Sequence, residues 1–258
     1  MAAHAASSTP TEPAGKRAAG LARAPRFHVD ATLSQGACIF LDRARAHQLA
    51  HVLRARPGEK VRLFNAADGE WLGSLVRLSR QGAEVVLEAR LRDPVVEPGA
   101  RLAVAPIRAN RLDWLVEKAV ELGVAEIALV PTRRSVVRPE RIDRLRAIAI
   151  EAAEQCGRLS VPALALHADL PAFLAALPAP TTLVVADEAG GEPVLPALAA
   201  LSDPVLLVGP EGGFAPEERE LFLARPGTRR VSLGPRVLRS ETAALFLLVA
   251  AALARPLA

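Results

Sequence analysis

No tyrosine occurs among the 258 residues, and seven phenylalanines with two tryptophans supply all the aromatic surface. A chain so poor in rings needs them for its core, so Phe27, Phe64 and Trp71, which could stack on bases, are assigned to packing. Cysteine is as scarce. Cys38 and Cys156 stand far apart and in no CxxC pair, which excludes a disulfide framework and a thiolate zinc site and points to a reducing, cytoplasmic compartment. There is also no apolar run of membrane-spanning length. The longest, Thr242 to Ala254, has thirteen residues and suits a buried helix. Glycine-rich signatures for a dinucleotide (GxGxxG) or a phosphate loop (GxxxxGK[ST]) are absent, and no repeat of fixed period appears. His47 and His51 have metal-ligand spacing, but neither an HExxH pattern nor a third ligand accompanies them; they read as solvent-facing, and no metal is expected.

What is present is a hydrophobic fraction of 51%, ample for a packed core, and a net charge of +4 that is unevenly placed. Met1 to Val95 carries 14 Lys/Arg against 9 Asp/Glu, whereas Val96 to Ala258 carries 18 against 19. The positive surplus thus lies in the N-terminal part, where a polyanion would be attracted. Residues 1–24, rich in Ala, Ser, Thr and Pro, lack the apolar core of a secretory signal and read as a disordered tail.

Residues 25–95 read as a small β-barrel. Short alternating segments at Cys38–Leu41, Lys60–Phe64, Trp71–Val76 and Glu84–Leu87 are separated by turn signals such as Pro57-Gly58 and Asp68-Gly69, with one helix over Arg43–Leu53. Asp93 to Ala100, with two prolines and a glycine, reads as a linker. From residue 100 to 258 strands alternate with helices, which predicts an α/β domain with a mostly parallel sheet. Strands are expected at Leu102–Ala105, Glu126–Val130, Thr182–Ala186, Val205–Val208 and Arg229–Ser232. One helix follows from Leu112, Leu115, Val116 and Ala119; another, over Glu140–Cys156, turns Ile142, Leu145 and Ile148 inward with Arg141 and Arg144 out.

Two segments carry the chemistry. Val205-Leu206-Leu207-Val208 runs into Gly209-Pro210-Glu211-Gly212-Gly213 and then into a helix opening with Pro216, Glu217 and Glu218, the residues its dipole prefers. A second strand runs into Leu233-Gly234-Pro235-Arg236-Val237-Leu238-Arg239-Ser240-Glu241, where Ser240 is a candidate N-cap of the C-terminal helix. Two neighbouring strand ends of this kind would offer backbone loops to one flat ligand. The acids make a poor cradle for pyrophosphate and tolerate a positively charged ligand, such as a sulfonium with its ammonium. Arg236 and Arg239 are suited to phosphate, or else they pair with Glu211 or Glu241.

GPEGGF (Gly209–Phe214) and LGPRVLRSETAAL (Leu233–Leu245), with EKAVELGV (Glu117–Val124), RRS (Arg133–Ser135) and EAAEQCGR (Glu151–Arg158), closely resemble the ribosomal RNA small subunit methyltransferase E family of the SPOUT superfamily. PRFHVD and HVLRARPGEKVRLFN resemble its PUA-like barrel, so the likeness runs from Arg26 onward. The resemblance implies a SPOUT-type α/β knot with a C-terminal trefoil knot, and S-adenosyl-L-methionine as methyl donor with S-adenosylhomocysteine as product. It further implies N3-methylation of a uridine in 16S ribosomal RNA, a homodimer, and no membrane. By the same resemblance the cofactor lies against Gly209, Pro210, Glu211, Gly212, Gly213, Leu233, Gly234, Arg236 and Leu238, with a third wall around Asp187 and Glu188. RNA contacts are assigned to Arg26, Arg54, Arg111, Arg134 and Arg158. Three departures stand out. Arg108–Asp113 lacks the family's usual glycine and lysine, so a lysine role passes to Arg111; the stretch Val136–Arg146 is short; and Ala215 replaces a capping serine, a loss of about 1 kcal/mol.

Methylation at uridine N3 requires loss of the N3 proton, alignment of the nitrogen with the methyl group, and a base held out of its stack. The ring nitrogen is itself the nucleophile, so no cysteine is needed and Cys156 is assigned to packing. Glu241 or water is the expected proton acceptor, with Glu211 and Glu154 as further candidates, and Arg239 is expected to stabilise the uridine anion. Each acid could instead be an ion-pair partner. Competing readings are a nucleotide-dependent oxidoreductase, opposed by the missing fingerprint, an RNA-binding factor without activity, and the same chemistry on another nucleotide.

Overall fold

The structure is a computed structural model that describes residues 24–137, 142–199, 201 and 203–254. The chain divides into two compact units between Val95 and Val96. The expected tail lies outside the described residues except for Ala24, which is buried and whose carbonyl accepts a hydrogen bond from Arg62 Nε at 3.0 Å.

In the first unit β1 (Arg26–His28), β2 (Cys38–Leu41), β3 (Lys60–Asn65), β4 (Gly69–Leu78) and β5 (Ala83–Arg92) form one sheet in the order β1-β3-β4-β5-β2. Only the β1/β3 pair is parallel. Register shifts at three places along β4 curl the sheet, because each extra residue bends its strand and increases the twist. The curled inner face buries Phe27, Ile39, Leu41, Val61, Leu63, Trp71, Leu75, Val85 and Leu87, so the aromatic residues pack as expected. Phe64 is also fully buried. Helix α1 (Arg43–His47) is capped by the Asp42 carboxylate, which accepts from Arg45 N at 2.9 Å. It widens into a π turn over Gln48–Val52 that ends at Arg54, a non-glycine residue in the left-handed region. The single helix read from sequence is therefore two kinds of helix, and β1, only three residues long, is too short for alternation to reveal.

The second unit holds seven parallel strands in the order β10-β12-β9-β11-β6-β7-β8: β6 (Arg101–Val104), β7 (Glu126–Leu129), β8 (Ala163–Leu166), β9 (Leu183–Ala186), β10 (Glu192–Pro193), β11 (Val205–Val208) and β12 (Thr228–Ser232). Helices α2 (Ala109–Glu121), α3 (Ile142–Cys156), α4 (Leu170–Ala176), α5 (Val194–Leu198), α6 (Pro216–Ala224) and α7 (Ser240–Ala254) cover it. The chain lays β11 between β9 and β6, then returns β12 to the far side of β9. This is the α/β domain with a mostly parallel sheet that the sequence predicts, preceded by a curled, mostly antiparallel sheet. One sheet face packs Leu183, Val185, Val205 and Leu207 against Phe173 of α4 and Phe222 of α6. α7 packs on β6, β11, α2 and α5.

Several expectations need correction. On α3 Leu145 is buried, but the inward face is completed by Ala149, Ala152 and Ala153, while Ile142 and Ile148 are half-buried. Glu140 and Arg141 lie outside the described residues. Cys156 is exposed at the end of α3 and is no packing residue. Helix α7 is buried on one side only, since Phe246, Val249 and Leu253 are exposed. Among the described residues no helix is long and apolar enough to cross a membrane.

Candidate active site

Strands β12, β9 and β11 end side by side, and the loops leaving them enclose one cleft of about 790 Å³, its mouth included. Its walls come from Ala186 to Glu188 at the end of β9, from Val208 to Phe214 except Gly212 at the end of β11, and from Ser232 to Ser240 except Arg239 at the end of β12, with Ala243 behind. Carboxyl ends of parallel strands are where open α/β sheets hold ligands.

Each loop is shaped by its own backbone. Pro210 O accepts from Gly213 N at 2.9 Å, closing a turn that leaves Gly213 at φ +65°; a Cβ there would also lie 2.2 Å from Glu188 Oε1. Gly234 adopts φ +108° and a side chain on it would meet no protein atom within 4 Å, so this part of the lining is bare backbone facing open space. The two loops are stapled together. Ser240, expected as an N-cap, is the first residue of α7, and its buried hydroxyl donates to Gly209 O at 2.8 Å. Helix α6 begins without a capping side chain at Ala215, yet Glu218 accepts from Ala215 N at 2.9 Å and from Arg133 N at 2.8 Å, which offsets the missing serine.

The acids around the cleft already have arginine partners. Asp187, buried, pairs with Arg219 at 2.9 Å, and the same guanidinium lies 3.3 Å from Glu188. Glu211 accepts from Arg111 Nη1 at 3.1 Å, while Arg111 Nε lies 3.7 Å from Glu241. Arg111 of α2 therefore bridges both loop acids, and Arg236 and Arg239 make no side-chain hydrogen bond or ion pair among the described residues. Of the two alternatives left open for these arginines, pairing with Glu211 or Glu241 does not occur. Arg219 was missed from the sequence, where a charged residue inside a charged helical stretch gives no signal.

Of the residues assigned to a cofactor, Asp187, Gly209, Pro210, Glu211, Gly213, Leu233, Gly234, Arg236 and Leu238 line this cleft. Gly212 does not; its carbonyl accepts from Arg134 Nη1 at 2.7 Å on the side of the Thr132–Ser135 turn. Glu241 is buried behind the lining and one of its carboxylate oxygens has no hydrogen-bond partner, while Arg239 is exposed. Among the described residues no three His, Cys, Asp or Glu side chains gather as a metal site.

An RNA methyltransferase domain model matches residues 97–252 and an RNA methyltransferase PUA domain model matches residues 41–88. The ribosomal RNA small subunit methyltransferase E of Rickettsia conorii is 31% identical over 223 residues, spanning 85% of this chain and 91% of its own. The chain belongs to the ribosomal RNA small subunit methyltransferase E family. The family's protein from Neisseria gonorrhoeae, solved bound to S-adenosyl methionine, is 31% identical with a TM-score of 0.76 over 88% of this chain and 96% of that one. A methyltransferase from Legionella pneumophila, solved with SAM, reaches 0.79 at 29% identity over 88% and 96%.

For this member of the family the arginines assigned to RNA separate by burial. Arg26 is buried, donates to Glu70 at 3.1 Å and stacks on Phe64 at 3.4 Å, so it holds the first unit together. Arg158 is buried too, donating to the carbonyls of Val120 and Val124 at 3.0 and 2.8 Å and to Glu97 at 3.2 Å. Burial alone would push the Glu97 carboxyl up, but hydrogen bonds from Ser160, Leu159 and Arg158 outweigh it and hold the group below its ordinary value. Arg54 and Arg134 are exposed, and Arg111 is half-buried.

Proposed function

We propose that this chain transfers a methyl group from S-adenosylmethionine to N3 of a uridine in 16S ribosomal RNA, working in the cytoplasm as a homodimer. The observation that carries the reading is the stapled pair of glycine loops in a chain of this family: bare backbone at Gly234, apolar walls from Leu233 and Leu238, and Glu188 and Glu211 nearby. That lining fits an adenosyl group with a cationic tail, since apolar side chains and backbone face a flat ring while carboxylates tolerate the charge.

When bound, the cofactor supplies an electrophilic methyl on a sulfonium. The chain's part is to hold the uracil ring, lower the cost of its N3 anion and let the proton leave. Arg236, unpaired in the lining, is placed to donate to developing negative charge on the ring oxygens, and Arg239, exposed and unpaired on the same loop but outside the lining, to a flanking phosphate. The proton passes to Glu211, which lines the cleft, or to water, and Glu241 acts from behind through Arg111. As the N–CH3 bond forms the C–S bond breaks, its electron pair stays on sulfur, and adenosylhomocysteine leaves.

For the homodimer the supporting observation is a stripe of exposed apolar side chains, Phe246, Val249 and Leu253 on α7 with Trp114 on the adjoining α2, all at least 40% exposed. Such a surface is what a second copy would cover.

Small subunits from a strain lacking the modification, incubated with protein and methyl-labelled cofactor and then digested for nucleoside mass spectrometry, test the activity. N3-methyluridine in 16S RNA is the expected product. Label on another atom or nucleotide, or none, overturns it.

A further inference from the structure

Of the ten described arginines of the first unit, five pair with acids and Arg45 donates to Gln48. Glu70 takes Arg26, Arg62 and Arg92; Glu84 takes Arg77; Asp93 takes Arg90. Arg43 and Arg80 are exposed and make no side-chain hydrogen bond or ion pair among the described residues. Both line the same cleft, between α1 with its π turn and the β4–β5 turn, together with His47, His51, Leu78 and Ser79. The two imidazoles lie with ring centroids 4.6 Å apart, and no carboxylate is among the lining residues. A concave surface with two unspent guanidinium forks, two further N–H donors and no acid attracts a phosphodiester.

A second observation comes from the neighbouring turn. Phe40 is 64% exposed in a chain with few aromatics to spare. Its ring is held against the turn at Gly82, where an added Cβ would lie 2.2 Å from it; Gly82 O in turn accepts from Ser79 N at 3.0 Å. An exposed ring fixed beside a basic cleft is a stacking platform for an unpaired base.

We propose that this cleft holds a single-stranded segment of RNA, a phosphodiester between Arg43 and Arg80 with His47 and His51 as further donors, and a base on Phe40. The site rests on the RNA methyltransferase reading and names the surface by which the first unit holds its substrate.

The test uses the full chain and, as probes, a mixed-sequence single-stranded RNA about twenty nucleotides long and unmethylated small subunits. Arg43→Ala with Arg80→Ala should weaken RNA binding about tenfold and lower the slope of log K against log salt by about 0.7, the value for one phosphate on a single strand. Phe40→Ala should weaken it severalfold with the slope unchanged, and Arg77→Ala, whose arginine is paired with Glu84, should do little. Adenosylhomocysteine affinity and Tm should stay at wild-type values, and KM for subunits should rise while kcat holds. Unchanged RNA affinity and slope in the double variant overturn the proposal. Should that variant lose its fold, Arg43→Gln and Arg80→Gln singly decide, each expected to weaken RNA binding severalfold, and no change in either overturns it. A wild-type protein that ignores adenosylhomocysteine would sink the methyltransferase reading instead, leaving the RNA result to stand by itself.

Discussion

Replacing Ser240 by alanine isolates the staple between the two cleft loops. The hydroxyl donates to Gly209 O at 2.8 Å and both residues are buried, so the carbonyl is left without a partner that water could replace. An orphaned buried acceptor costs about 1–3 kcal/mol. Taking the middle of that range, a domain of this size should lose about 4–8 °C of Tm. The staple also sets the spacing between the loop after β11 and the one after β12, which together make most of the cleft wall. Part of the loss should therefore reappear as weaker ligand binding, about tenfold for adenosylhomocysteine, equivalent to about 1.4 kcal/mol. Calorimetric titration with and without the variant, alongside thermal unfolding, reads both quantities. A lower Tm with unchanged affinity would mean that the bond serves folding alone, and the argument that Ser240 preorganises the site would be wrong.

Three other outcomes follow from particular contacts. Glu97 is held below its ordinary value near 4.5 in the folded state, so its contribution is present above that pH and disappears as pH falls through the lower, folded value; the Tm of Glu97→Gln should vary less with acidification than wild type, and parallel curves would contradict the clasp. Glu70→Ala strips the shared partner from Arg26, Arg62 and Arg92 and should destabilise the first unit by about 3 kcal/mol, the low end for a broken buried pair because Arg26 keeps its stacking on Phe64, as denaturant unfolding would show. Phe246→Glu places a charge in the exposed stripe of α7 and should shift the protein to monomer by light scattering, whereas an unchanged mass would place any dimer interface elsewhere.

The parts of the molecule that were legible in the sequence are those where one local rule dominates. Val205–Val208 is a run of four apolar residues bounded by proline and glycine, and it is a fully buried strand with the expected ends. Leu112, Leu115, Val116 and Ala119 repeat at helical spacing and all four are buried on α2. By contrast β8, whose Ala-Leu-Ala-Leu sits half-buried at the sheet edge, and β10, two residues including a proline, have neither length nor contrast. α4 and α5 are one or two turns long, too short for a period to register.

Side-chain roles were harder to read for a different reason: they depend on pairs far apart in sequence. Arg111 stands where a lysine was expected and was assigned to RNA, yet its guanidinium faces Glu211, a hundred residues later, and Glu241. Nothing local distinguishes such an arginine from Arg236 or Arg239, which are exposed and unpaired on the loop after β12. The difference lies in topology. β11 is laid beside β6 and α7 returns over both, so the start of α2, just after β6, comes to face the loops that follow β11 and β12. In this chain Arg111 meets Glu211 and Glu241 from the α2 side, which leaves the two arginines on the later loop without an acid partner. The exchange of roles among three arginines is thus a consequence of strand order: the acids beside the cleft are met from α2, and the exposed guanidiniums of the later loop keep their donors for an anionic substrate.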